Sequence, residues 1–600
     1  MCGITGVFNP KKQVNIAQFY QSHLTIKHRG PDDEGFVALV NNSAVSFKGD
    51  DSIPSCDNQD HINTLQSSAL VLGHRRLSII DLSKDGHQPF TYKNLSLVYN
   101  GEIYNYKELR KELEDIGYSF KTNTDTEAFL IAYHHYGNDC FKKFVGMWAA
   151  AIYDSKTNSL KLCRDYFGIK PLYYSESKKG ICFGSEIKFL TAFDPDLKQP
   201  DHKTIYDFVV HGLKEHTKNT FYKNIKQLLP GSVLTISKEK KELKKLFIQR
   251  NTRLLDLDVF KNVSKSIDYH LIADVPVGIS LSGGVDSTIV ASYMASKKVK
   301  FQSFSSVFPN HKQFDESKYV LDTTIKYSDY ITQNLIETTM EDSWNSIEET
   351  LNCLDEPYSG IGMFQPFSVY KKASENGMKV LLGGQGADEI FGGYRAQKKE
   401  YYKELIRKGR LLSILKLYQQ QKISKNLIKS VLLENKLIRK VTKHKENPDR
   451  KGYFNKQLVE TEYDPRTWYF NYGLREYLFY EDRLSMWHSV EGRVPFLNTT
   501  LYRLYAGLPY SKITRNGEQK VLLKEAFKTI IPESVYSRKD KLGYVSPQEI
   551  WLKSKKMEIK NFLLDCLFYK DKLEPEEIES FNYNKLWRHY IVARWFEQIN

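Results

Sequence analysis

Over the first 190 residues the apolar positions fall in short runs bounded by Gly, Asn and Asp. Leu70–Leu72, Leu95–Tyr99, Trp148–Tyr153, Leu160–Cys163 and Leu172–Tyr174 are such runs, and the pattern predicts strands. Tyr106–Ile116 and Thr126–Tyr136 instead carry helical spacing, the second opening at Thr124 and Asp125, which suit a helix start. Near residue 270 the rhythm changes. Val277–Leu281 reads as a buried strand, Gly283-Gly284 as a turn and Ser287–Ser296 as a helix; Phe301–Phe308 and Lys379–Leu382 read as further strands, the last again followed by glycines. Strand, glycine turn, helix and strand predict a parallel doubly wound sheet. Ligands of such sheets bind beyond the carboxyl ends of the strands, so both glycine turns should face one crevice.

At 600 residues the chain exceeds what one hydrophobic core supports, so at least two domains are expected. The two rhythms place them at 2–215 and 250–600. The net charge of +15 raises the question of a nucleic-acid partner. Yet Lys398–Lys451 alone holds 17 Lys and Arg against five Asp and Glu, an excess of 12, with Leu411, Leu412, Ile414, Leu415 and Leu417 interleaved. That composition reads as a solvated helical insertion, aliphatic side chains inward and lysines outward, and no nucleic-acid-binding motif accompanies it. Seven cysteines without a CxxC pair argue against a zinc site or a disulfide framework and for a reducing compartment. No signal-peptide pattern opens the chain and no run of about 20 apolar residues occurs, so a cytoplasmic protein without a membrane span is expected.

The first candidate chemistry is Cys2. Removal of the initiator methionine would give this cysteine a free α-amine, which can act as general base for its own thiol. Alone, a second-position cysteine is usually incidental. Asn100-Gly101 follows a predicted strand; an Asn amide beside a Gly N–H makes a pair of donors suited to an oxyanion, although in isolation the same dipeptide reads as a hairpin turn. With the start Cys2-Gly3-Ile4-Thr5-Gly6, the segments HRGPDDEG (28–35), GHRRLSIIDL (73–82), YNGEIYNYKELR (99–110), TDTE (124–127) and RDYFGIKPLYY (164–174) stand in the order found in class II glutamine amidotransferases. They most resemble the glutaminase domain of asparagine synthetases of the longer bacterial type. The resemblance implies an N-terminal-nucleophile αββα sandwich. It also implies roles: Cys2 as nucleophile, Asn100 and Gly101 as oxyanion hole, Arg76 as clamp for the glutamine carboxylate, and Glu102 with Asp125 for its ammonium. Left to themselves, Arg76 reads as a surface arginine and Asp125 as a helix cap.

The second is Leu281-Ser282-Gly283-Gly284-Val285-Asp286-Ser287, at a predicted strand-to-helix turn. Its glycines let N–H groups approach phosphate, the helix start favours anions, Ser282 and Ser287 add hydroxyls, and Asp286 can ligate Mg²⁺. No GxxxxGK[ST] occurs, so this is no Walker loop. SGGVDS resembles the loop of ATP pyrophosphatases, which leave AMP on the substrate. The stretch 382–394 resembles the adenylate-facing segment of asparagine synthetases. The resemblance implies ATP contacts from Leu281, Ser306, Gly383 and Gly384, a second metal ligand at Asp388, and a charge-neutralising Lys520. Tyr480–Met486, Glu491–Leu497 and Gly517–Lys520 also match the family. Gln385 stands where well-known members carry Glu, a residue that helps form the acyl-adenylate.

The sequence thus predicts a two-domain α/β and α+β protein: an αββα glutaminase sandwich followed by a doubly wound ATP pyrophosphatase domain. Its expected activity is ATP-dependent, Mg²⁺-assisted amidation of a carboxylate through acyl-AMP, with glutamine as nitrogen donor and L-aspartate as favoured acceptor. Its expected partners are small molecules, with no nucleic acid or membrane, and a homodimer is compatible. Rival readings are a sugar uronate or cell-wall precursor as acceptor, a cyclase forming an internal amide, and a basic RNA-binding scaffold with inactive sites.

Overall fold

The computed structural model describes residues 2–248, 258–420, 465–538, 545–570 and 572–600, with positions 423, 424, 428 and 431. Its N-terminal part stacks two antiparallel sheets. The first has seven strands in the order Ile225–Gln227, Tyr173–Ser177, Gly180–Gly184, Gly3–Phe8, Leu70–Arg76, Asp33–Val40, Ser43–Phe47. The second has six: Lys241–Lys245, Ser232–Ile236, Ser159–Arg164, Gly146–Asp154, Leu95–Ile103, Phe90–Tyr92. Strand periodicity of two divides the apolar residues between faces. Ile4, Phe8, Leu70 and Leu72 turn inward to meet Val98, Ala151 and Leu162. Val7 and Val71 turn outward onto the helices Ile16–His23 and Ile187–Phe193. Tyr106–Asp115 and Asp125–Tyr136 cover the opposite face, completing the αββα layers.

The predicted strands form, mostly longer than their apolar runs. The sandwich also continues past residue 215. Strands Ile225–Gln227, Ser232–Ile236 and Lys241–Lys245 all join it. The last, KELKK, is an edge strand with mostly exposed side chains, and charge on an edge carries no apolar signal to read.

The second body is built on a five-stranded sheet, every neighbouring pair parallel: Ile331–Glu337, Phe301–Val307, Val277–Ser280, Val380–Leu382, Glu491–Arg493. The chain enters at the centre, proceeds to one edge, then crosses back to fill the other side. Its switch point lies between Val277–Ser280 and Val380–Leu382, and each of these strands leads into one glycine turn. Helix Val285–Ser296 covers one face and Phe364–Glu375 the other.

In the basic stretch, helices Arg395–Arg407 and Leu411–Gln419 form as expected. Only Ile414 and Leu417 of the five interleaved aliphatics turn inward; Leu411, Leu412 and Leu415 are exposed. A nine-residue helix has room for a single buried stripe. Most of the stretch beyond Gln419 lies outside the described residues. Among the described residues no helix is long and apolar enough to cross a membrane.

The two bodies meet through buried charge. Arg29, at the end of the turn Leu24–Arg29, has no exposed surface. Its guanidinium donates to both Asp482 oxygens at 2.9 and 3.1 Å and to Glu186 Oε1 at 2.8 Å, and Arg483 Nη1 lies 3.0 Å from the same Glu186 oxygen. Arg29→Ala would leave buried carboxylates short of their partner. It is expected to lower unfolding free energy by about 3–5 kcal/mol. Lys27→Ala, which removes a pair with a half-exposed lysine, should cost under about 1 kcal/mol. Denaturant titration of both variants reads the difference.

Candidate functional site

Strand Gly3–Phe8 pairs with Leu70–Arg76 in a register that sets Gly3 opposite Arg75, which carries Cys2 to the end of the sheet beside Arg76. The Cys2 backbone nitrogen donates to Asn100 Oδ1 at 3.1 Å, and its carbonyl accepts from Arg29 Nε at 3.2 Å. Burial pushes the Cys2 thiol up, while the Arg76 guanidinium pulls the other way. Asn100 is fully buried, and its Nδ2 has no hydrogen-bond partner among the described residues. Asn100-Gly101 is no hairpin turn; both lie inside strand Leu95–Ile103. A Cβ at Gly101 would stand 2.1 Å from the Met147 carbonyl oxygen, so the strand pairing itself demands glycine.

The loop after the Arg76 strand fixes that side chain. Its Nη1 donates to Ser83 O at 2.8 Å and its Nη2 to Asp81 O, and a Cβ at Gly86 would fall 1.8 Å from Nη2. Arg76 is buried rather than the surface arginine its type suggests. Thr124, not Asp125, caps the helix that follows. Asp125 Oδ2 instead accepts from Tyr99 OH and Ile103 N, both at 2.9 Å. Burial raises its carboxyl to about 6 against those hydrogen bonds. Burial and the neighbouring Glu491 carboxylate push Glu102 well above the usual carboxylate range. Cys2, Arg76, Asn100, Gly101, Glu102 and Asp125 are thus gathered at one end of the sandwich.

The second group converges on a cavity of about 300 Å³ at the switch point. Ser282, Gly284, Asp286, Ser287, Gly384, Gln385 and Asp388 all line it. Gly283 takes φ +73°, a conformation suited to glycine, and Gly284 caps helix Val285–Ser296, whose amino end faces the cavity. The two turns touch: a Cβ at Gly384 would lie 2.8 Å from Ser287 N. Gln385 Oε1 occupies the place a Gly383 Cβ would take, 2.1 Å away. Leu281 and Ser306 line an adjoining cleft of about 40 Å³ that shares Ser282.

Lys520, buried behind the cavity wall, reaches two of its carboxylates from a segment more than 130 residues beyond Asp388 in sequence. Its Nζ lies 2.5 Å from Asp286 Oδ2 and 2.5 Å from Asp388 Oδ1. Burial works against its charge, but the two carboxylates more than offset this and hold the ammonium above the usual lysine range. Among the described residues no group of three or more acidic, His or Cys side chains is placed to hold a metal ion alone. A Mg²⁺ that arrives on nucleotide phosphates needs only one or two protein carboxylates, and Asp286 with Asp388 fit that role.

Sequence reading missed Glu481, which accepts from Gln385 Nε2 at 3.0 Å and which burial raises to about 7. It also missed Arg538, which donates to Gly283 O at 3.0 Å and pairs with Glu316. Glu481 stood within a motif that matched the family, but its neighbour was not readable from the chain. A larger cavity of about 780 Å³, with Tyr106, Arg110 and Asp274 in its wall, contains none of the predicted residues.

A glutamine amidotransferase domain model matches residues 57–247, and an asparagine synthase model matches residues 259–583, over half of the chain. The chain belongs to the asparagine synthase family. Its relatives include "Asparagine synthetase [glutamine-hydrolyzing] 1" of Bacillus subtilis, 29% identical over 99% of this chain and 96% of that protein. A putative asparagine synthetase of Methanocaldococcus jannaschii is 30% identical over 68% and 78%. "Asparagine synthetase [glutamine-hydrolyzing] 3" of B. subtilis is 27% identical over 96% and 94%. In this asparagine synthase family member the two family matches meet between residues 247 and 259, where the sandwich ends and the parallel-sheet body begins.

Replacing Lys520 by Met would leave Asp286 and Asp388 facing each other without their ammonium. The expected cost is about 3–5 kcal/mol of unfolding free energy. Adding Asp388→Asn should recover part of it, because one of the opposed charges is gone. Denaturant midpoints of the single and double variants check this.

Proposed function

We propose that this chain is a glutamine-hydrolysing ligase that frees ammonia at Cys2 and uses it to amidate an ATP-activated carboxylate in the cavity at the switch point. The acceptor we assign is L-aspartate, activated as aspartyl-AMP, with asparagine, AMP and pyrophosphate as products. Family membership supports glutamine-dependent, ATP-driven amidation. The observation that carries the finer reading is Lys520 held between Asp286 and Asp388 beside the two glycine turns. A fixed cation flanked by metal-type carboxylates and a helix start suits a site where negative charge grows on phosphate and on an adenylating carboxylate.

At the first site the Cys2 thiol attacks the side-chain amide carbon of glutamine. The free α-amine left by loss of Met1 takes the thiol proton and delivers it to the leaving ammonia. Asn100 Nδ2, buried with no partner among the described residues, and the Gly101 N–H receive the developing oxyanion. Arg76 holds the glutamine carboxylate, and Asp125 with Glu102 holds its ammonium. Water then hydrolyses the thioester. At the second site the backbone of 282–284 and 383–384 receives the nucleotide, and Lys520 balances charge on pyrophosphate. Mg²⁺ held by Asp286 and Asp388 would shield the phosphate oxygens. Ammonia has to cross between the sites without meeting bulk water, where protonation destroys its nucleophilicity.

The half-reactions should separate by mutation. Cys2→Ala is expected to lose glutamine-dependent synthesis but to retain synthesis from added ammonia. Asp286→Ala should lose AMP formation with either nitrogen source, by roughly a hundredfold or more for several kcal/mol of lost charge stabilisation, and should keep glutaminase activity. Loss of ammonia-dependent synthesis in Cys2→Ala would overturn the division of labour. A screen of carboxylates for AMP release tests the acceptor, with aspartate expected first.

The glutamine site should also show a pH step. Asp125 is raised from 3.8 to about 6, so it loses its charge as pH falls through about 6, and with it the partner for the glutamine ammonium. KM for glutamine is therefore expected to rise below that pH, and Asp125→Asn should have a high KM that lacks the step near pH 6. The raised value also makes protonated Asp125 the form favoured by folding. Its stability contribution is full below the unfolded value and is lost as pH rises through about 6.

A further inference from the structure

Asp81 takes φ 54°, in the left-handed region, where a residue other than glycine is strained and stays only if its surroundings hold it. Its backbone is used on both sides. The Asp81 N–H donates to Asp274 Oδ2 at 2.8 Å, and the Asp81 carbonyl accepts from Arg76 Nη2. Its own carboxylate turns back into the loop, where Oδ1 accepts from Ser83 N at 3.1 Å and from Ser83 Oγ at 2.6 Å. Asp274, a residue of the second body, is therefore one residue removed from the Arg76 guanidinium.

The start of this loop is fixed by other means. Asp32 N donates to Arg76 O at 3.0 Å, and Asp32 Oδ2 accepts from Ser78 N and from Lys379 Nζ, both at 2.7 Å. Leu77 and Ile79 are buried in the hydrophobic cluster of the second body that contains Val263 and Ile267, and Ile79 O accepts from Asp274 N at 2.8 Å. Past Ile79 the loop turns outward, and Leu82 is exposed. Among the described residues the Asp81 N–H is held by Asp274 Oδ2 alone. Asp274 itself lies in the short connection between helix Val259–His270 and strand Val277–Ser280. Fully buried Arg493 donates to the carbonyls of His270 and Ile272 at 2.8 and 2.7 Å, which fixes that connection just ahead of Asp274.

We propose that Asp274 is a positioning residue for glutamine binding: by accepting from Asp81 N it fixes the strained Asp81 backbone, so that the Asp81 carbonyl, with Ser83 O, aims the Arg76 guanidinium at the α-carboxylate of glutamine. Arg76 gives one N–H of each Nη to the two loop carbonyls, which leaves Nε–H and a second N–H on each Nη for a carboxylate. The inference rests on the reading of Arg76 as the glutamine carboxylate clamp. Asp274 acts on the end of glutamine remote from the amide that Cys2 attacks, so it governs binding and leaves the chemical step alone.

The test uses the full-length enzyme. Ammonia release from glutamine reads the first site, and ammonia-dependent synthesis reads the second. Asp274→Ala removes the acceptor and frees the Asp81 backbone to relax. KM for glutamine is expected to rise roughly three- to tenfold, the size of one hydrogen bond. Its kcat should stay within about twofold of wild type, because binding remote from the reacting bond is lost equally from ground and transition states. Asp274→Asn keeps an oxygen acceptor for the Asp81 N–H and should hold KM within about twofold of wild type. Alkylation of Cys2 separates aim from general damage. A diazoketone analogue of glutamine that carries the α-carboxylate should inactivate the Asp274→Ala glutaminase roughly three- to tenfold more slowly than wild type. Iodoacetamide, which has no carboxylate, should alkylate Cys2 at the wild-type rate, and ammonia-dependent synthesis should be unchanged. An unchanged glutamine KM in Asp274→Ala, an equal rise in Asp274→Asn, an equal slowing with iodoacetamide or a parallel fall in ammonia-dependent synthesis would overturn the positioning role and leave the proposed function standing. An Arg76→Ala enzyme with the wild-type glutamine KM would instead remove the reading of Arg76 on which the inference rests.

Discussion

Arg29 is the contact on which the two-body arrangement depends. A single buried guanidinium holds the Cys2 carbonyl, the Glu186 carboxylate that precedes helix Ile187–Phe193, and both oxygens of Asp482 in the other body. Burying these charges is unfavourable unless every partner is in place, so the relative position of the two bodies is tightly specified. Arg483 and Lys170 extend the cluster on either side. A second bridge runs in parallel. Arg493 is fully buried, bonds Glu491 on its own strand, donates to the carbonyls of His270 and Ile272, and approaches Glu102 of the sandwich at 3.7 Å.

That geometry gives the proposed chemistry its spatial order. Strand Glu491–Arg493 pairs directly with Val380–Leu382, the strand that delivers Gly383 and Gly384. The element that touches Glu102 near Cys2 therefore also sets the height of one glycine turn. The cavity is fixed to the sandwich through the sheet itself, as well as through surface contacts. For the ammonia of the proposed reaction, easily lost to water, a buried junction is the physical requirement.

The cavity shows the same economy. Its two glycine turns come from strands adjacent in space and about 100 residues apart in sequence. They approach so closely that a side chain at 384 would collide with Ser287 N. Lys520 then closes the group by pairing with a carboxylate from each turn. Charge that would repel across the cavity is balanced before any ligand enters.

What the sequence determined by itself was what local physics encodes. Alternating and helical apolar spacing marked the strands at Leu70–Leu72, Leu95–Tyr99 and Val277–Leu281 and the helix at Ser287–Ser296, and glycine turns after buried strands marked where a ligand crevice lies. The ordered motifs from Cys2 to Lys520 marked the family. The charged edge strand Lys241–Lys245 escaped notice because its stability comes from pairing with Ser232–Ile236 and not from its own apolar content. Leu411, Leu412 and Leu415 were assigned inward because composition does not say which stripe of a short helix meets a neighbour. Only the tertiary structure decided that Asn100-Gly101 lies within a strand, that Asp125 turns from the helix cap to Tyr99, and that Glu481 and Asp482 serve different neighbours. For Asn100-Gly101 the deciding contact is the pairing with strand Gly146–Asp154; for Asp125, Glu481 and Asp482 it is direction, because adjacent helical side chains point about 100° apart and their partners lie 26, 96 and 453 residues away in the chain.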